Sequence, residues 1–120
     1  MHKINLVILL NLIFFSHLEA HELNPARLIL EEKESNSFDV VWKFPSNILT
    51  KPGSVFFPPS CKETLKSLPK KEGKYQVTLS TLDCDSDLRS QELTVKGLTR
   101  MTDALISIHF IDGGQYEGLV

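Results

Sequence analysis

Apolar residues recur at every second position through most of the chain beyond Ala26, and no other feature narrows its possible folds as much. Side chains of an extended strand point alternately to its two faces, so this period buries one face of a sheet and wets the other. Leu28 and Leu30 fall on one side of the run from Arg27 to Glu32. Glu34-Ser35-Asn36-Ser37 is a turn cluster, after which Phe38, Val40, Trp42 and Phe44 alternate with Asp39, Val41 and Lys43. The two runs predict a β-hairpin. Pro45 lacks the N–H that a ladder needs and ends the second strand.

Further along, Ser54-Val55-Phe56-Phe57 predicts a short strand closed by Pro58-Pro59. Lys62 to Gly73 is polar and rich in lysine, and reads as a solvated connection. Tyr75, Val77, Leu79 and Thr81 alternate with Gln76, Thr78 and Ser80, while Leu93 and Val95 mark another strand before Gly97. Leu105 to Ile111 has apolar residues on both faces, which predicts an interior strand. Asp112-Gly113-Gly114 then makes a hairpin turn into a return strand from Gln115 to Val120. Roughly six or seven short strands at this spacing predict an all-β fold, an antiparallel immunoglobulin-like β-sandwich.

The first twenty residues differ in kind. A mildly basic start, Met1-His2-Lys3, precedes an apolar run from Leu6 to Phe15 and a stretch ending at Ala20. This order predicts a secretory signal peptide over residues 1–20. The run is about half the ~20 residues that cross a bilayer, so an uncleaved anchor is the rival reading. Export to the periplasm or the outer face of the cell membrane follows as an expectation. The mature domain then spans residues 21–120, and the natural protein is expected to continue past Val120. Cys61 and Cys84 are its two cysteines. An even pair in a small exported domain predicts a disulfide, against the alternative of two free thiols. Closing that loop stabilises the fold by about 3 kcal/mol on chain-entropy grounds.

The net charge is −2 and the cations are scattered, so no stripe exists to neutralise phosphates and nucleic acid is excluded as a partner. His21, as a mature N-terminus, offers an amine and an imidazole that suit Cu(II) or Ni(II), with His109 as the second histidine. A histidine in a strong strand is more often a packing residue than a ligand. Asp83, Asp85 and Asp87 fail as a calcium loop, because Leu88 stands where glycine is needed and Thr94 where a bidentate glutamate is needed. No nucleophile elbow or positioned base is found, and a non-catalytic role is expected. Phe56 and Phe57 are adjacent in a strand and face opposite ways. One of them is therefore a candidate interaction residue.

Several segments occur in a characteristic order: His21-Glu22-Leu23-Asn24-Pro25-Ala26-Arg27-Leu28, Val41-Trp42-Lys43-Phe44-Pro45, Phe57-Pro58-Pro59-Ser60-Cys61 and Leu82-Asp83-Cys84. They are followed by Leu93-Thr94-Val95-Lys96-Gly97-Leu98 and Thr102-Asp103-Ala104-Leu105. Together they resemble the N-terminal extracytoplasmic domain of HupE/UreJ-like membrane proteins, named after hydrogenase and urease accessory proteins. The resemblance implies a β-rich exported domain ahead of a transmembrane bundle. Its partner would be the membrane-embedded remainder of the same protein or another envelope protein. The family name suggests nickel handling, but these residues contain no dedicated nickel site. The alternative is a free-standing periplasmic metal-binding or chaperone-like module.

Overall fold

The computed structural model describes residues 25–46, 53–96, 98 and 103–120. The expected signal peptide and His21 lie outside the described residues. Nine strands are present: β1 (Ala26–Glu34), β2 (Ser37–Pro45), β3 (Ser54–Phe56), β4 (Cys61–Thr64) and β5 (Lys70–Glu72), then β6 (Tyr75–Cys84), β7 (Thr94–Lys96), β8 (Ala104–His109) and β9 (Gln115–Leu119). Among the described residues the helical content is one 3-10 turn, Leu88–Ser90.

Seven strands form one sheet in the order β4-β6-β2-β1-β8-β9, with β5 beside β4 on the same edge of β6. The β1–β2 hairpin closes through Ser35 and Asn36, and Asn36 takes a φ of 60°, which asparagine tolerates better than most residues. The Glu32 carboxylate holds this turn, accepting the Asn36 N–H at 2.7 Å and the Ile111 N–H at 2.9 Å. One side chain thus ties the first hairpin to the last.

The sheet corrects the expectation of purely antiparallel pairing. β1 and β8 run parallel, with Leu28 opposite Ile106 and Leu30 opposite Ile108. Local turn signals predict hairpins, whereas a parallel neighbour needs a long crossover that no turn announces. Here the crossover is the whole chain between β1 and β8. The expectation that the segment from Leu105 is interior holds, since β8 lies between β1 and β9. The lysine-rich stretch is corrected too. It supplies two edge strands, β4 and β5, where a solvated connection is expected.

Ala26, Leu28, Leu30, Phe38, Val40, Phe44, Leu82, Ala104, Ile106 and Ile108 are buried on the inner face of the sheet. The small antiparallel pair β3–β7 covers part of that face, bringing Val55 and Val95 against the core together with Phe57, Leu88 and Leu93. Two unequal layers result, each hiding the apolar side of the other.

In β6 the apparent apolar face is the outer one. Leu79 is 52% exposed, while Ser80, at 9%, points inward beside Val40. The buried hydroxyl is satisfied by donating to Glu63 Oε2 on the adjacent edge at 2.6 Å.

Ala26, Ala104 and Leu119 mark the lower end of the sheet. Ala26 pairs with Ala104, and Val120 exchanges backbone hydrogen bonds with Ala104 on the other side, at 2.8 and 3.3 Å. Tyr75 begins β6 at the same end, and its hydroxyl donates to the Pro25 carbonyl at 3.0 Å.

Candidate functional site

The short second layer leaves the inner face of β8 and β9 partly open. Ile106 and Ile108 form the floor of a groove of about 460 Å³, with Leu88 and Leu93 on one wall and Tyr116 and Val120 on the other. β9 carries Tyr116 inward because it stands opposite Ile108. Gly118 is the reason the ring can lie along the strand: a Cβ there would collide with the Tyr116 hydroxyl. Any larger residue at Gly118 must push the ring aside.

Arg89 closes the upper mouth. Asp87 caps the 3-10 turn by accepting the Arg89 N–H at 2.9 Å, which holds the arginine at the rim. Its Nη2 lies 2.7 Å from both carboxylate oxygens of Asp112, and its Nη1 lies 3.2 Å from Asp87 Oδ2. The guanidinium carbon sits 3.9 Å from the centroid of the Phe110 ring, a cation–π placement. Gly114 leaves room for this arrangement, since a Cβ there would come within 2.9 Å of Arg89 Nη2. Desolvation works against the arginine charge, but the hydrogen bonds to Asp112 and Asp87 outweigh it and raise its pKa. The Asp112 carboxyl is held below its usual range, first by the Gly114 N–H and, against some desolvation, by Arg89.

This arrangement clamps the 3-10 turn to the β8–β9 hairpin. The guanidinium is paired by two carboxylates, and the groove below it is lined mainly by apolar side chains, with Gln91 and Gln115 among them. Its chemistry is that of holding an apolar side chain or an extended segment.

The cysteines expected to pair do so. Cys61 and Cys84 stand directly opposite each other in β4 and β6 and form a disulfide spanning 23 residues of sequence. The two phenylalanines part company: Phe57 packs on the core, whereas Phe56 is 50% exposed with Lys96 Nζ 4.9 Å from its ring centroid. His109 is half-buried in β8, opposite Glu31 of β1 and Gln115 of β9. Among the described residues no group of three His, Cys, Asp or Glu could hold a metal ion. Asp83 accepts the Ser37 hydroxyl at 2.7 Å, a structural tie at the head of the β2–β6 pair.

Sequence reasoning missed Arg89, Leu88 and Tyr116. Arg89 meets Asp112 across 23 residues of sequence, and no local pattern joins them. The one available signal was Gly118 two places after Tyr116, a glycine inside a strand, which marks a close approach. Comparison of the chain with protein-family models, with curated proteins and with solved structures finds no match.

Proposed function

We propose that this is the non-catalytic extracytoplasmic domain of a HupE/UreJ-like membrane protein, with an interaction or accessory role. The observation that carries the proposal is the shared exit of Pro25 and Val120 at the lower end of the sheet, on either side of Ala104. A leader ahead of the domain and membrane segments after it would then attach at one end. The opposite end, with the disulfide and the Arg89 clamp, would face away from the bilayer. The Cys61–Cys84 bond is compatible with an oxidising compartment. Among the described residues no helix is long and apolar enough to cross a membrane, so any spanning helix lies outside them.

The finer fold kinship belongs to the same proposal. Two unequal layers packed around one apolar core support an immunoglobulin-like sandwich, although the seven-to-two division of strands is more uneven than that fold's usual pair of sheets. The parallel β1–β8 pair is its departure from an all-antiparallel arrangement.

The test is fractionation of cells that express the complete gene product, combined with thiol alkylation before and after reduction. The expected result is that Cys61 and Cys84 react only after reduction, and that the polypeptide stays in carbonate-washed membranes. Release with the periplasmic fluid would favour the free-standing module. Thiols that react without reductant would remove the export reading.

A further inference from the structure

The segment from Lys62 to Lys74 contains five of the chain's thirteen lysines and arginines and two of its fifteen acidic residues. It runs along the outer edge of β6 as β4, a loop and β5, and reaches the lower end of the sheet. Its leucines, Leu65 and Leu68, are 84% and 88% exposed, the most exposed large hydrophobics among the described residues. Lysines on an edge strand have an ordinary use, since they blunt pairing with foreign strands. That accounts for the cations but not for two leucines standing in water beside them.

The loop is held in this shape. The Ser67 N–H donates to the Leu79 carbonyl at 2.8 Å, and its hydroxyl accepts the Leu79 N–H at 2.9 Å. Ser67 is thereby pinned to β6 while its leucine neighbours stay outside. Leu65 adopts a φ of 53°, a left-handed conformation that leucine takes only at a cost. Among the described residues none of the five lysines takes part in a salt bridge.

We infer that this edge is a docking surface for an anionic phospholipid bilayer, which takes Leu65 and Leu68 into its interfacial zone while Lys66, Lys70 and Lys71 meet the phosphates. The leucines protrude from an edge and line neither the groove on β8 and β9 nor the smaller one of about 90 Å³ that Glu63 and Lys66 border. A bilayer accepts protruding apolar side chains without a matching pocket, whereas a protein partner needs shape complementarity. Lysine stems lie along the hydrocarbon boundary and carry their ammonium groups to the headgroups. The remainder of the chain carries eight basic against thirteen acidic residues, so the attraction to an anionic surface is local to this edge. The inference goes beyond the proposed function and holds whether or not membrane spans belong to the same polypeptide.

Amide hydrogen exchange of the full chain tests it, read over residues 62–74 with phosphatidylcholine vesicles and with vesicles also containing phosphatidylglycerol. Exchange there should slow by about tenfold or more on the anionic vesicles only, and the effect should shrink at high salt. Leu65→Ser with Leu68→Ser should abolish the local slowing, with the lysines still present. Each of Lys66→Gln, Lys70→Gln and Lys71→Gln should weaken it by about fivefold. An unreactive disulfide and an unchanged near-ultraviolet spectrum establish that each variant is folded. Equal exchange on both vesicle types, or protection confined to another face, would overturn the inference. So would protection of residues 62–74 by an acidic protein partner and not by lipid.

Discussion

The two edges of the main sheet are closed by different means. At the β6 edge a covalent bond, Cys61–Cys84, staples a four-residue strand in place. At the β9 edge the hairpin is held by its turn and by Arg89, which reaches from the 3-10 turn to Asp112 and Phe110. A disulfide acts mainly by restricting the unfolded chain, at any pH. The arginine clamp is a partly exposed ion pair, weakened by salt and dependent on ionised carboxylates. One edge is therefore fixed and the other is able to breathe, and the groove lies on the side that breathes.

The sharpest way to break this comparison is to remove what joins the two sides. Phe38 is 1% exposed, and its ring meets Phe110 edge-on at 6.0 Å between centroids, linking the core to the β8–β9 side. Phe38→Ala should destabilise the whole domain by about 3–5 kcal/mol in denaturant unfolding, as one cooperative transition. Two separate transitions would show that the edges fold independently.

Replacing both cysteines by serine should cost about 3 kcal/mol, also measured by unfolding. The loss of amide protection should be largest in β4 and small in β9. Equal loosening of both edges would erase the distinction drawn between them.

Smaller still is the effect at Ser80, which bonds Glu63 of the neighbouring edge. Ser80→Ala should cost about 1 kcal/mol, whereas Leu79→Ser, one residue away on the exposed face, should stay within about 0.5 kcal/mol. The reverse order would mean that the inward face of β6 is assigned to the wrong set of residues.

The mildest test concerns the clamp. Arg89→Ala should leave global unfolding nearly unchanged while amide exchange in β9 quickens and that in β4 does not. A carboxylate whose folded pKa is lowered contributes stability that is complete above its ordinary value and is lost as pH falls through the lower folded one. For Asp112 this means a β9 edge that is constant from neutral pH down to about 5 and loosens only below about 4. Loosening already near pH 6 would show that the Asp112 carboxylate does not set the stability of this edge.

Much of this was legible because strand periodicity and turn chemistry are local. Asn36 at the first hairpin, Gly113 and Gly114 at the last, and the alternation through Phe38 to Phe44 all state their geometry within a few residues. The cysteine pair was legible because two cysteines allow one intramolecular bond. Other features were not. Alternation in β6 shows that two faces differ but not which one meets the core, and Leu79 and Ser80 take the roles opposite to those their hydropathy suggests. The lysine-rich edge strands lack a hydrophobic period because β5 is exposed on both faces and the two middle residues of β4 are exposed as well, so neither has an apolar face to mark.

Local residue pattern was enough to specify an all-β chain, the turns of its two principal hairpins and the pairing of its sulfurs. These depend on side-chain size, backbone freedom and chemistry at neighbouring positions. That β8 lies parallel to β1, that Arg89 meets Asp112 over Phe110, and that Leu65 and Leu68 remain in water emerged with the folded arrangement. Those outcomes depend on contacts between segments far apart in the chain, whose selection rests on how the two layers share one core.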